Sequence, residues 1–157
     1  MASQAHPVIE TVNKADALAT RFNEIHQATL PHIDALLGIQ PDTPAAEEHH
    51  AVLREGLAHM ESVTNEMTEL LYRYEVYLAP NTTPNMHSFN PQQALAHVSD
   101  IFNGYQTELI NKREALADYT CEEIDLNEFA RRWYSMDEVE QNRKQGMDDL
   151  ADLLAGF

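Results

Sequence analysis

The sequence is poor in basic residues, in glycine and above all in cysteine. Its 157 residues include a single Cys, Cys121, which excludes a disulfide scaffold and any cysteine-based zinc module. Ten Lys and Arg stand against 26 Asp and Glu, a formal charge of −16 with a pI near 4.6. A chain with that field repels phosphate instead of releasing counterions from it, so an ordinary nucleic-acid binder is excluded and an anionic membrane is disfavoured. No run approaches the roughly 20 apolar residues that span a bilayer. Residues 1–7 lack the basic-then-apolar order of a secretion signal. We expect a soluble, reduced, cytoplasmic protein, in which the sequon Asn81-Thr82-Thr83 carries no weight. Also missing are the Gly-x-Ser-x-Gly, Gly-Lys-Ser/Thr and Gly-x-Gly-x-x-Gly motifs of nucleophile and phosphate chemistry, and the five glycines stand far apart.

What the chain does have is an apolar share of 43%, enough for a real core, and long stretches without a helix breaker. His6-Pro7 opens a first tract in which Val8, Val12, Ala15, Leu18, Ala19, Phe22 and Ile25 recur at spacings of three and four, one buried helical stripe. Pro31 is expected to end or kink that helix, with a short further turn before Gly38. Thr43 reads as an N-cap with Pro44 at the first helical position, and the next breaker is Pro80. Between them Leu53, Leu57, Met60, Thr64, Met67, Leu71, Tyr74 and Leu78 form a continuous seam, widened by Val63, Leu70 and Tyr77. That breadth suits a helix packed against two neighbours better than a two-stranded coiled coil.

Residues 79–89 read as the one long loop. Asn90-Pro91 then starts a third helix whose apolar face runs from Leu95 through Val98, Ile101, Phe102, Tyr105, Leu109, Ala115 and Leu116 to Tyr119. Two capping boxes follow, Asp125 with Glu128 and Ser135 with Glu138, predicting a short helix that carries Phe129 and Trp133 and a last helix towards Phe157. The expected fold is an all-α antiparallel bundle of four to five helices in a single domain over 1–157. Its core spans about 7–119, its long helix about 44–78, and a helical C-terminal region covers 125–157. So long a seam in so small a domain suggests a homo-oligomer.

Three kinds of metal or catalytic site bear on these His and acidic residues. Di-iron bundles need Glu-x-x-His on each of two helices, and Glu47-x-x-His50 is the only such pair, with Glu55 and His59 as one-turn neighbours. Helical nucleotide pyrophosphohydrolases need closely spaced acids facing inward; Glu66 and Glu69 lie off the apolar seam, so they read as solvent-facing. Residues 123–129 match the closing half of an EF-hand loop, but Ala117, Tyr119 and Cys121 stand where its first three ligands belong, and a helix cap explains the same residues.

The acids concentrate on the second helix, as Glu48, Glu55, Glu66 and Glu69, and in the C-terminal region. In the tail, Met147, Leu150, Leu154 and Phe157 fall on one side of a helix flanked by Asp148 and Asp149, fit for the bundle's own last helix or for a partner's groove. The expected function is therefore non-enzymatic: an acidic helical adaptor, chaperone or inhibitor without cofactor that binds a basic protein partner, in its sharpest form as a DNA mimic. The alternative is a small metal- or nucleotide-handling bundle enzyme centred on Glu47, His50, Glu55 and His59.

Overall fold

The computed structural model describes residues 7–40, 42–78 and 91–140. Helices α1 (Pro7–Leu37), α2 (Pro44–Leu78), α3 (Pro91–Thr120) and α4 (Leu126–Tyr134) pack against one another, and no strand occurs among the described residues. The expected all-α bundle is the observed fold. Cross-links set the directions. Arg21 meets Glu66 while His32 meets His49, so α2 runs antiparallel to α1; Gln106 meets Thr68 while Tyr119 meets His50, so α3 runs antiparallel to α2. The Arg132–Asp118 and Lys112–Ser135 contacts turn α4 back along α3 in the same way. The expected loop over 79–89 lies outside the described residues, as does everything after Glu140.

The start of α2 forms as the sequence predicts: the Ala46 amide donates to Thr43 Oγ1 at 3.3 Å, and Pro44 occupies the first turn. Pro31 departs from expectation, because α1 continues through it to Leu37. A proline inside a helix costs about 3 kcal/mol, since it removes one backbone bond and crowds the preceding turn. Here the ring is exposed, the carbonyl it leaves without an amide is that of exposed Gln27, and Ile33 and Leu36 beyond it are 0% and 1% accessible. Burying two such side chains at about 1.5–3 kcal/mol each outweighs the break.

The core continues each predicted stripe. Val12, Ala15, Ala19 and Phe22 of α1 meet Leu53, Leu57, Met60, Val63 and Met67 of α2, with Val98, Ile101, Phe102 and Tyr105 of α3 behind them. The helices α1 and α2 approach tightly at Gly56, where an added Cβ would stand 2.7 Å from Thr29 Cγ2. Thr29 cannot turn away cheaply: its hydroxyl donates to the His26 carbonyl at 2.6 Å and accepts from Trp133 Nε1 at 2.9 Å.

At the end of α3 the Glu123 amide bonds the Asp118 carbonyl at 2.8 Å and the Glu122 amide bonds that of Tyr119 at 3.1 Å. This is the closing pattern in which the residue after the cap adopts the left-handed region, normally as glycine. Here it is Glu122, at φ 60°.

Two outcomes follow. Gly56→Ala gains about 1 kcal/mol of helix propensity yet is expected to lower stability, because overpacking against a fixed neighbour costs about 1–3 kcal/mol; in a Thr29→Ser background, which removes Cγ2 and keeps the hydroxyl, the loss should disappear. Glu122→Gly should raise stability by about 1 kcal/mol by relieving the left-handed strain. Thermal and urea unfolding of the variants checks both.

Candidate functional site

At 100° per residue, Glu48, Glu55 and Glu66 are spaced by near-whole numbers of turns, so they line up along one side of α2, with Glu69 one turn beyond. All four are exposed. An outer groove between α1 and α2 is lined by Arg21, Glu24, Ile25, Ala28, His59 and Ser62, of which Arg21 meets Glu66 and His59 meets Glu55. The acids differ in what they meet. Glu66 pairs with Arg21 of α1 at 2.8 Å and Glu69 with Arg73 one turn on, so half of the predicted acidic row is compensated locally. Glu48 has no Lys or Arg partner among the described residues, and Glu55 has only His59, at 3.9 Å. The predicted C-terminal partner residues, Met147, Asp148, Asp149, Leu150, Leu154 and Phe157, lie outside the described residues.

The four residues of the alternative reading do not converge. Arg54, and secondarily His50, hold the exposed Glu47 carboxyl below the ordinary carboxylate value. Nε2 of His50 lies 3.1 Å from the Tyr119 hydroxyl across the bundle, and Nδ1 lies 3.6 Å from Glu47. Burial, with the charge of Asp42, raises the Tyr119 phenol. The Tyr119 ring stacks on Phe129 at 4.6 Å, and Phe129 leads to Trp133 at 5.6 Å. His50 thus ends an aromatic ladder that ties α2 and α3 to α4. Glu55 and His59 stand apart from it on the exposed side of α2. No group of three or more His, Cys, Asp and Glu side chains among the described residues is placed to hold a metal ion.

The half EF-hand motif resolves into a cap and an ion pair. Asp125 accepts from the Glu128 amide at 2.8 Å as the N-cap of α4, while both Glu128 carboxylate oxygens take donors from the Arg131 guanidinium, which lowers the Glu128 pKa. The second capping box forms differently from its prediction. The Glu138 amide goes at 3.0 Å to Glu108 of α3, a carboxylate only 2% accessible. Its other oxygen lies 3.5 Å from Lys112 Nζ, which is fully buried and donates to the Ser135 carbonyl at 2.8 Å. Burial lowers the Lys112 pKa, with Glu108 pulling the other way. An ion pair of the bundle interior thus caps the helical turn at 137–140, a task the sequence pattern assigned to Ser135.

Sequence reasoning missed these interior groups, although a signal existed. On α1 the stripe Ala15, Ala19, Phe22 extends in register through His26, Thr29, Ile33 and Leu36; on α3, Glu108 and Lys112 occupy seam places between Tyr105 and Ala115. Polar residues at such positions must find partners inside. His26, 4% accessible, donates from Nε2 to the Trp133 carbonyl at 2.9 Å, the tautomer that a carbonyl acceptor requires. Its pKa is pushed down to about 4 by burial first and by the Lys112 charge, against the backbone bond that favours the protonated ring.

Neither protein-family models, nor curated proteins, nor solved structures give a match to this chain.

The folded state holds His26 near 4, whereas an unfolded chain titrates near the ordinary 6.5. Stability from this group is therefore complete above 6.5 and falls as pH drops towards 4, because the unfolded chain takes up the proton first. At about 1.4 kcal/mol per pH unit the loss reaches at most about 3 kcal/mol. Urea midpoints measured across this range should decline in the native chain and decline less in His26→Gln, which keeps a donor for Trp133 without the titration.

Proposed function

We propose that this chain is a non-enzymatic interaction module: an acidic helical bundle that binds a basic protein partner as adaptor, chaperone or inhibitor, with imitation of the phosphate array of DNA as its sharpest form. One observation carries the reading. Arg21, Arg54, Arg73, Lys112, Arg113, Arg131 and Arg132 each have a carboxylate partner. Exposed Glu24, Glu48, Glu114, Glu122 and Glu123 have no Lys or Arg partner among the described residues. Part of the net charge of −16 is therefore carried, among the described residues, by exposed carboxylates that a macromolecular cation is free to meet. A field of that sign steers a positive partner and gives its binding a strong salt dependence. Self-association and a cytoplasmic location belong to the same reading; exposed Tyr72 and Ile110 supply apolar surface for the former.

The test is affinity capture from an extract of the source cell with a salt gradient. A basic protein should be retained at low salt and released well below 1 M, where the screening length shrinks to about 3 Å. The combined change Glu48→Gln and Glu55→Gln should weaken retention, and Glu66→Gln should alter it less, because Arg21 already compensates that charge. Duplex DNA competing for the captured partner supports the mimic. Capture that ignores salt, or a partner without basic surface, overturns the proposal.

A further inference from the structure

Beside the seat of Trp133 the surface opens into a cleft of about 280 Å³ between α1 and the chain that leaves α4, close to the roughly 300 Å³ at which small-ligand pockets begin. Its polar lining comes from Asn23, His26 and Gln27 of α1 and from Glu140. Leu30, Met136 and Val139 supply the apolar part, and Tyr134, whose hydroxyl is held by Asp34, brings an aromatic ring of the kind that attracts cations through its face. No Lys or Arg among the described residues lines the cleft.

His26 gives the cleft its character. The residue is 4% accessible, its Nε2 is spent on the Trp133 carbonyl at 2.9 Å, and its remaining exposure opens on the cleft that it lines. In the tautomer that this bond requires, Nδ1 carries a lone pair. No group among the described residues donates to that nitrogen, and an enclosed acceptor without a partner is where an incoming N–H gains most. The Glu140 carboxylate only accepts, and the Asn23 and Gln27 amides each offer a carbonyl oxygen. Lys112, the cation whose charge reaches His26, stays out of the cleft, buried on Glu108 and the Ser135 carbonyl. An anion would therefore meet only the like charge of Glu140. An organic cation with several N–H groups meets both acceptors, and Leu30, Met136 and Val139 suit a methylene stem behind it.

We propose that this cleft is a binding site for a guanidinium or alkylammonium group on a short apolar stem, with His26 Nδ1 and the Glu140 carboxylate as its acceptors. A free amine and the side chain of an Arg or Lys in another protein carry the same head group, and the two are separated below by size. None of the acidic residues of α2 lines the cleft, so a chain that captures no basic partner through that row still binds the cation here.

The experiment is titration of the full chain with n-butylguanidinium and n-butylammonium ions, followed by calorimetry and by imidazole nitrogen spectra, with neutral n-butylurea and anionic butyrate as controls. The cations should saturate at one per chain and shift the His26 Nδ1 signal, while butyrate does not bind. Butylurea should bind roughly tenfold more weakly, the loss of one charge-assisted hydrogen bond. Glu140→Gln, at an exposed position, should weaken cation binding by about tenfold for the same reason, with helicity by circular dichroism and the urea midpoint unchanged; Glu48→Gln on α2 should leave binding as it is. Acetyl-arginine amide binding as tightly as butylguanidinium assigns the cleft to a protein side chain, and its exclusion assigns the cleft to a free amine. Absence of saturable binding, equal affinity for butylurea, or full affinity in Glu140→Gln overturns the site.

Discussion

Burial of the Trp133 indole is the interaction on which the described fold turns. The helix that carries it, α4, has nine residues, too few to stand alone in water, where isolated helices shorter than about 12 residues are marginal. It persists because its largest side chain is fully enclosed, with the ring nitrogen on Thr29, the backbone carbonyl on His26 and Phe129 alongside. Truncating such an aromatic typically costs about 3–5 kcal/mol. In addition, the Thr29 hydroxyl would lose the donor that Trp133 Nε1 supplies. Because Thr29 is also the contact that brings α1 against α2 at Gly56, one side chain couples the helix hairpin to the helix that closes it.

Two kinds of charge coexist in this molecule, and they do different work. Glu108 and Lys112 are interior, one helical turn apart on α3, and they fasten the chain where α4 gives way to the next helical turn through Ser135 and the Glu138 amide. Ions in such places are costly to desolvate and gain their position from geometry and hydrogen bonds. The other described carboxylates reach water, most of the described cations being already spent on local pairs. The acidic row on α2 is consequently uneven, compensated beside Arg21 and Arg73 and open at Glu48. Glu66 and Glu69, read from the sequence as solvent-facing, are exposed, whereas Glu108 has its partners fixed inside.

The histidines divide in the same manner. His26 is neutral and structural, His50 ends the aromatic ladder, His59 is a surface neighbour of Glu55, and His32 faces His49. The alternative metal-site reading was centred on His50 and His59, by their spacing to Glu47 and Glu55 on one helix. The geometry that brings two imidazole nitrogens together lies across two helices, 17 residues apart in the chain.

By itself the sequence determined the all-helical class, the start of α2 at Thr43-Pro44, the seam of α2 and the cap at Asp125, because these follow from spacing and from hydrogen bonds made within a few residues. Tertiary structure alone decided that α1 passes through Pro31, that Glu108 takes the amide Ser135 was expected to cap, and that His32 meets His49. Each of these depends on which surfaces of separate helices are pressed together, and the energy of that packing, a few kcal/mol per buried side chain, exceeds the local preferences that sequence patterns record.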